Sequence, residues 1–428
     1  MPLPLEGIRV TDLSMWFAGP MCTRLLADMG AEVIKIESTR HIDPWRGPAV
    51  ITPELAARLP EGTVIGERPY NCSPGFNLQN RNKLGITLDL TTETGRAVFK
   101  RLVAISDVVV ENYSPRVMAS LGIDYPVLKE IRPDIILMSL PALGRTGPDR
   151  DKIAFGQTID CLSGMAALTG YPGEGPMLQS GLSYGDPLSG MNAAFAILAA
   201  LHHRRRTGRG MHIELSQVEG VIAFNADSIM DYVMNGRVRG RMGNRHRTAA
   251  PHGCYRCRGE DKWTVIAITS DTVWRRFCRA IGSPAWTKDE RFADAVGRYR
   301  HQDELDRLVE AWTVCHDHYQ VMEVLQRAGV PAGPVLEADE LLAEPHLNAR
   351  GIFETVTHPE AGTHPYVGMY ARFSRTPGSI RRPAPCLGEH NEYVLGGLLG
   401  MSAGEIARLE AEGIIGKTAA PQQQGGMY

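Results

Sequence analysis

The sequence lacks the features that mark secreted and membrane-spanning chains. Cysteine occurs only 8 times in 428 residues, too sparsely for a disulfide framework. No basic segment followed by an apolar stretch stands at the N-terminus, so we expect no signal peptide. The longest apolar run, residues 193–201, is about half as long as a bilayer-spanning helix requires. These absences predict a cytoplasmic protein with no membrane partner.

An excess of charge of one sign is also missing. Lys and Arg number 46 against 48 Asp and Glu, which gives a formal net charge of −2. Nucleic-acid-binding proteins normally carry a basic excess, so we expect no nucleic-acid partner. The composition is otherwise that of a globular protein, with 43% hydrophobic residues and a length typical of two or three domains.

The first 150 residues alternate between strand and helix patterns. Predicted strands lie at residues 7–13, 31–37, 85–90, 107–112 and 134–140, with helices at 20–29 and 92–105 between them. Strand–helix–strand units of this length favour right-handed crossovers between parallel strands. The fold class is therefore α/β, with a doubly wound, Rossmann-like parallel sheet in a large domain.

A change of pattern after Gly236 predicts a second, smaller α+β domain. The segments at 330–335 and 352–356 read as strands that return to the main body, so both ends of the chain contribute to the large domain. The predicted domains are 1–224 (large domain, N-terminal part), 225–330 (small α+β domain), 331–417 (return to the large domain) and 418–428 (disordered tail).

Three local patterns point only weakly to a ligand. The turn at 17–22 lacks the G-x-G-x-x-G fingerprint, which disfavours a nicotinamide-dependent oxidoreductase. Cys254 and Cys257 have the spacing of a zinc or redox pair, but further ligands are missing and residues three apart on a strand face opposite sides. We therefore expect ordinary thiols and no metal. The Arg-rich segment at 237–247 could contact phosphates or form a solvated surface.

Asp186 is the most informative carboxylate of the chain. It stands between Gly185 and Pro187, just before a predicted helix that runs from 188 to 206. Asp at the N-cap with Pro next to it is an ordinary helix start. The same position keeps a carboxylate ionised and facing a loop, which suits a covalent nucleophile. The pattern alone leaves both interpretations open.

Ten short segments, spread over nearly the whole chain, add evidence beyond single residues. They are LEGIRVTDL at 5–13, AGP at 18–20, GAEVIKIE at 30–37, NK at 82–83, DVVVEN at 107–112, GD at 185–186, RTGRG at 206–210, GNRH at 243–246, GVPAGPV at 329–335 and LGEH at 387–390. Together and in this order, they resemble the class III CoA-transferases, of the formyl-CoA transferase and carnitine CoA-transferase type.

The resemblance implies a fold, an assembly and a mechanism. The family fold has a large α/β domain built from both termini and a small middle domain, and two subunits form an interlocked homodimer. The family nucleophile falls on Asp186, which would pass through a mixed anhydride and an aspartyl-CoA thioester. CoA and acyl-CoA are then substrates, and because each step exchanges a carboxylate and a thiolate, no permanently bound cofactor is expected.

The resemblance also suggests which residues contact CoA. Lys83 falls directly on a family lysine. Phe17 stands at a position of the acyl pocket where the family commonly has Gln, which suggests a more apolar pocket. The complete predicted set is Phe17, Ala18, Asn80, Arg81, Asn82, Lys83, Asn112, Tyr113, Ser114, Arg116, Lys152 and Phe155.

Two alternatives remain within the same superfamily. Acyl-CoA racemases use a His together with the equivalent of Asp186, and that position is Phe155 here, so half of the acid–base pair is missing. The chain could also be a non-catalytic, CoA-binding subunit of a heteromer with a paralogous chain. The presence of Asp186 argues against a non-catalytic role.

Overall fold

The computed structural model describes residues 2–59, 66–176 and 183–420, and the chain divides into two compact units. The first comprises Met1–Met165, Leu178–Met230 and Arg350–Tyr428, and the second comprises Ala166–Met177 and Asp231–Ala349. Of the tail expected to be disordered, residues 421–428 lie outside the described part.

The strands form three sheets. In chain order they are β1 (Arg9–Asp12), β2 (Glu32–Glu37), β3 (Lys83–Thr87), β4 (Val108–Glu111), β5 (Ile136–Ser139), β6 (Met211–Glu214), β7 (His252–Arg256), β8 (Trp263–Ala267), β9 (Ala332–Pro334), β10 (Phe353–His358) and β11 (Gly362–Val367).

Most helices are short. In chain order they are α1 (Ala18–Asp28), α2 (Pro53–Ala56), α3 (Pro74–Asn80), α4 (Glu93–Ala104), α5 (Val117–Ser120), α6 (Tyr125–Ile131), α7 (Gly156–Leu162), α8 (Met165–Leu168), α9 (Gly185–Thr207), α10 (Gln217–Phe224), α11 (Ala226–Asn235), α12 (Asp271–Ala280), α13 (Ala295–Arg300), α14 (Gln302–Thr313), α15 (His318–Arg327), α16 (Ala338–Ala343), α17 (Pro345–Ala349) and α18 (Ala403–Ala411).

The first unit is built on a six-stranded parallel sheet with the order β3-β2-β1-β4-β5-β6. The predicted doubly wound parallel sheet is therefore confirmed, with β6 as an additional edge strand. In this order the chain reverses its winding direction between β1 and β4, and such sheets bind ligands beyond the carboxyl ends of the strands at that point.

Apolar side chains cover both faces of this sheet, which is why its strands read as continuous hydrophobic runs. On one face Ile34, Ile86 and Leu137 pack with residues of α4 and α18. On the opposite face Val33 and Val110 pack with residues of α1 and α9. Residues from the C-terminal segment thus complete the core of the N-terminal sheet.

The second unit has its own core around a three-stranded antiparallel sheet, in the order β7-β8-β9. Here the structure differs from the expected segment 330–335. Ala332 pairs with Ile266 of β8, so β9 completes the small sheet and does not return to the large one. Backbone pairing with β8 is the physical reason, and this unit extends to Ala349.

Candidate active site

Helix α9 carries Asp186 in its first turn, immediately after Gly185. The N-cap is Tyr184, and it makes no side-chain capping bond. Asp160 on α7 fills that role instead, because its carboxylate accepts the backbone N–H groups of Tyr184 at 3.1 Å and Gly185 at 3.0 Å. Asp186 is thus not the capping residue of its helix.

The Asp186 carboxyl group has few partners among the described residues. Burial raises its pKa to about 6, a hydrogen bond donated by Ser183 Oγ at 3.2 Å opposes the rise, and the negative charge of Asp160 adds to it. The group is still mostly ionised at neutral pH. A carboxylate with a raised pKa and little hydrogen bonding is a better nucleophile than a fully solvated one.

Gly156 leaves the space beside this carboxylate open. A Cβ atom at residue 156 would lie 2.3 Å from Asp186 Oδ2 and 2.1 Å from Ser183 Oγ. Similarly, a Cβ at Gly185 would lie 2.7 Å from Ile159 Cγ2. The start of α7 therefore approaches the start of α9 as closely as it does because both positions are glycine.

Helix α9 also packs closely on α1, and this contact places Asp186 near the crevice of the sheet. A Cβ at Gly190 would lie 2.7 Å from the carbonyl oxygen of Ala18, the first residue of α1. Asp186 precedes Gly190 by about one helical turn. The carboxylate therefore lies close to the loop that leaves the carboxyl end of β1, beside the reversal point of the sheet.

Aromatic side chains line this loop and its surroundings. Trp16 is 41% exposed, has a left-handed backbone with φ of 66°, and meets the Phe155 ring edge-to-face at 5.4 Å. Phe17 meets the Trp45 ring at 5.3 Å. Since Phe155 directly precedes Gly156, the Trp16–Phe155 pair forms an apolar wall near the Asp186 carboxylate.

A buried ion pair holds Trp16 in this unusual conformation. Lys35 Nζ lies 2.9 Å from Asp43 Oδ2 and donates a hydrogen bond to the carbonyl oxygen of Ser14 at 2.7 Å. The other Asp43 oxygen accepts the backbone N–H of Trp16 at 3.0 Å and that of Trp45 at 3.0 Å. Both ionic side chains are fully buried, so the loop rests on a rigid support.

The side chains that commonly bind metal ions are dispersed in the part of the chain that is described. Among residues 2–59, 66–176 and 183–420, no group of three or more His, Cys, Asp or Glu side chains is arranged to hold a metal ion. Cys254 and Cys257 are free thiols, and burial raises the pKa of both.

No helix within residues 2–59, 66–176 and 183–420 combines the length and apolar character needed to cross a bilayer.

Comparison with known proteins identifies the family. The sequence pattern of CoA-transferase family III matches residues 5–391. The chain belongs to this family. It is 36% identical to a succinyl-CoA–D-citramalate CoA-transferase from Chloroflexus aurantiacus over 97% of this chain and 98% of that one.

Two further comparisons agree with the family assignment. The alpha subunit of a succinyl-CoA–L-malate CoA-transferase from Chloroflexus aurantiacus is 32% identical over 96% of this chain and 93% of that protein. The crystal structure of a CAIB/BAIF family protein from Brucella suis superposes with a TM-score of 0.81 and 31% identity, covering 93% of this chain and all of that one. The resemblance inferred from the ten segments is confirmed.

Among the residues expected to contact CoA in this family III chain, one group is occupied by internal partners. Lys83 is fully buried, with its Nζ 3.0 Å from Asp12 and 2.9 Å from Asn80 Oδ1. Arg81 pairs with Asp28 at 2.8 Å, and Asn82 donates to the same carboxylate. Their contact with CoA stays a prediction.

A second group lies at the carboxyl end of β4. Asn112 clamps the loop after β1, because it accepts the N–H of Met15 at 2.9 Å and donates to its carbonyl oxygen at 2.7 Å. Tyr113 is half-buried, and Ser114 is exposed. These residues lie at the reversal point of the sheet, where the fold favours a ligand.

The remaining predicted cations lie together on the surface. Arg116 forms an ion pair with Asp151, and the next residue, Lys152, pairs with Asp149 at 2.8 Å. Both basic side chains are more than half exposed. Arg116 and Lys152 are thus each paired with an aspartate, and their contact with CoA stays a prediction.

Sequence reasoning missed Gly156, Asp160 and Ser183. Gly156 was visible only as an isolated glycine at a helix start, and Asp160 lies 26 positions before Asp186 in the printed numbering. Their roles arise from the packing of α7 against α9, which no local pattern encodes. Trp16 could have been singled out from the sequence. It stands two positions before Ala18-Gly19-Pro20, and a large aromatic residue is costly to place in a loop.

Proposed function

We propose that this chain transfers CoA from an acyl-CoA to a carboxylic acid, with the Asp186 carboxylate as the nucleophile. The proposal is carried by the different roles of two neighbouring acids, Asp160 and Asp186. Asp160 satisfies the helix N-terminus, while Asp186 beside it is partly buried, has a pKa of about 6 and faces the space left by Gly156.

The first half of the reaction loads CoA onto the enzyme. An Asp186 oxygen attacks the thioester carbonyl carbon, the carbon–sulfur bond breaks, and the CoA thiolate leaves with the electron pair. The product is a mixed anhydride. The thiolate then attacks Asp186 Cγ, so the donor acid leaves as a carboxylate and an aspartyl-CoA thioester remains.

The second half reverses these exchanges with a different acid. The acceptor carboxylate attacks Asp186 Cγ and expels the CoA thiolate, which gives a second mixed anhydride. The thiolate attacks the acyl carbon of the acceptor, and the Asp186 carboxylate is released with the new acyl-CoA. No net proton is taken up or lost, so the chemistry needs an ionised Asp186 rather than a general acid.

The two relatives from Chloroflexus aurantiacus suggest the donor to test first. Both are named for succinyl-CoA, and their partner acids, D-citramalate and L-malate, are dicarboxylic hydroxy acids. We infer a dicarboxylic acyl-CoA donor and an organic acid acceptor. A panel of acids incubated with succinyl-CoA and followed by mass spectrometry identifies the acceptor from the new thioester.

Racemisation is the weaker alternative because of Phe155. Its ring packs on Trp16 next to Gly156, at the position where the superfamily racemases carry a His. A hydrocarbon ring cannot take or return an α-proton. Incubation of a chiral 2-methylacyl-CoA in D₂O should therefore give no deuterium at the α-carbon above the uncatalysed level.

An exposed apolar stripe supports assembly with a second subunit. On α9, Met191, Phe195 and Leu198 are 39%, 73% and 44% exposed, although they are spaced to share one face of the helix. We infer that a second copy covers this stripe, in the interlocked homodimer that the family resemblance implies. A paralogous subunit is the alternative, since one relative is named as an alpha subunit.

Light scattering of the purified chain tests this assembly. The wild type should have the mass of a dimer, and Phe195→Glu should give mainly monomer or poorly soluble protein. A wild-type monomer that is active alone would overturn the inference.

Substitution of Asp186 tests the nucleophile. Asp186→Asn keeps the size of the side chain and should lower CoA exchange between acyl-CoA and free acid by at least about 1000-fold. Glu93→Gln is the matched control, because Glu93 is also an acid in the first turn of a helix but is exposed. Near-normal exchange by the Asn variant would rule out the covalent route.

A further inference from the structure

Arg24 is a buried cation that the proposed reaction does not use. It lies on α1 and is only 7% exposed. Its Nε atom is fully buried and has no hydrogen-bond partner in the described residues. A buried donor without an acceptor loses its hydration without compensation, so such groups normally have a partner.

The surroundings of Arg24 are also rich in positive charge. Arg81 and Asp28 are its charged neighbours, and burial together with the Arg81 charge lowers the pKa of Arg24 to about 10. Arg381 joins the same group, because it donates to the carbonyl oxygens of Asp28 and Ala27 at the end of α1. Three guanidinium groups therefore lie near one carboxylate, and only Arg81 bonds to it directly.

That one carboxylate already accepts three side-chain hydrogen bonds. Asp28 Oδ1 accepts from Arg81 Nε at 3.2 Å and from Asn82 Nδ2 at 2.7 Å, while Oδ2 accepts from Arg81 at 2.8 Å. Little acceptor capacity is left for Arg24, although the two residues are four apart on the same helix. Arg81 also donates to the carbonyl oxygen of Val367, and Arg381 donates to main-chain carbonyl oxygens, so the group has an excess of positive charge and Arg24 Nε is the donor without an acceptor.

We propose that Arg24, Arg81 and Arg381 form a binding site for a phosphate-type oxyanion. Such a group supplies negative charge and an acceptor for Arg24 Nε together, and guanidinium groups match its geometry. The phosphate can be a free ion or a phosphate group of CoA. The site is separate from the Asp186 carboxylate, since Arg24 lies about 9 Å along α1 from Ala18.

Thermal unfolding with inorganic phosphate tests the site without reference to catalysis. At constant ionic strength, phosphate should raise the Tm of the wild type by several degrees and in a saturable manner, because it binds the folded state. The Arg24→Met variant should lose this response. Arg408→Met is the control, since Arg408 is an exposed arginine on α18, and it should respond like the wild type.

A second variant protects the test against a folding defect of Arg24→Met. Arg381 is exposed, so Arg381→Met should fold normally and need at least about five times more phosphate for half of the Tm shift. No saturable response in the wild type, or a response like that of the wild type in both Arg24→Met and Arg381→Met, would overturn the proposal.

Steady-state kinetics of CoA transfer distinguish the two sources of the phosphate. If phosphate competes with acyl-CoA in the wild type, and Arg381→Met raises the KM for acyl-CoA while kcat is kept, the site takes a phosphate group of CoA. If phosphate binds but does not compete with acyl-CoA, and Arg381→Met has an unchanged KM for acyl-CoA, the site takes the free ion. Both results support an oxyanion site, and neither depends on whether Asp186 is the nucleophile.

Discussion

Two buried carboxylates of the same unit, Asp12 and Asp186, have opposite environments. Asp12 ends β1 and is fully buried, but it accepts hydrogen bonds from Ser14 and Thr23 and pairs with Lys83. Burial would raise its pKa, yet the charges of Lys83 and Lys35 and these hydrogen bonds lower it. Asp186 has one side-chain donor among the described residues, Ser183, and its pKa is raised.

The difference shows what separates a structural acid from a reactive one in this fold. Burial is common to both groups, so burial alone does not assign a role. The number of donors and cations around the carboxylate decides it, because each hydrogen bond stabilises the anion and lowers its reactivity. Four predictions each concern a change at Asp12, at Asp186 or beside Asp186, and they are given from the largest expected effect to the smallest.

Removal of the Asp12 charge should have the largest effect. Asp12→Asn leaves Lys83 buried without its ion pair and should lower the free energy of unfolding by about 3–5 kcal/mol, measured by urea denaturation. The double variant Asp12→Asn/Lys83→Met removes both charges and should recover much of the loss. If the single variant is as stable as the wild type, the Asp12–Lys83 ion pair does not stabilise the fold.

Filling the space beside Asp186 should mainly affect catalysis. In Gly156→Ala the new Cβ would crowd Asp186 Oδ2 and Ser183 Oγ, so kcat/KM for exchange should fall by about 100-fold. The control is Gly404→Ala in α18, where a Cβ meets no atom within 4 Å. Equal activity of the two variants would mean that the space beside Asp186 is not used.

The raised pKa of Asp186 predicts opposite pH effects on activity and stability. Since the anion is the nucleophile, kcat/KM should fall as the pH drops below about 6. For stability, the folded pKa lies above the unfolded value, so the contribution is complete below about pH 4 and is lost as the pH rises through about 6.

The Asp186→Asn variant makes the stability effect measurable. At pH 7.5 it should be more stable than the wild type by on the order of 1–2 kcal/mol, a value reduced from the full shift for partial exposure. Near pH 4 the two proteins should have the same stability. Thermal unfolding across this range checks the sign, and a variant less stable than the wild type at pH 7.5 would contradict it.

Loss of the Ser183 hydroxyl should have the smallest effect. Its hydrogen bond opposes the rise in the pKa of Asp186, so Ser183→Ala should move the acidic limb of the kcat/KM profile to higher pH by less than about one unit. Ser120→Ala, an exposed serine at the end of α5, is the control. A shift to lower pH would show that Ser183 does not stabilise the anion.

Much of the large fold was predictable because its signals are local. The strands around Val33, Val109 and Leu137 are short, continuously apolar and separated by helices, which is the pattern of a parallel sheet with both faces covered. The pairing of Ala332 with Ile266 was not predictable in this way. A three-residue strand has no periodicity, and its partner is far away in the sequence.

The candidate site was predictable only in part. Asp186 stood out through its neighbours Gly185 and Pro187 and through the family resemblance. Local sequence could not tell whether Asp186 or another acid binds the start of α9, because Asp160 reaches the helix through tertiary packing. The internal partner of Lys83 was hidden for the same reason, since Asp12 lies on a different strand.

Trapping the covalent intermediate tests the central claim most directly. The enzyme is mixed with acyl-CoA, treated with hydroxylamine to convert an aspartyl-CoA thioester into a hydroxamate, digested and mapped by mass spectrometry. A covalent route through Asp186 predicts a hydroxamate on this residue only when acyl-CoA is present, and none in Asp186→Asn. Exchange at a normal rate with no modification of Asp186, or with modification of another residue, would contradict it.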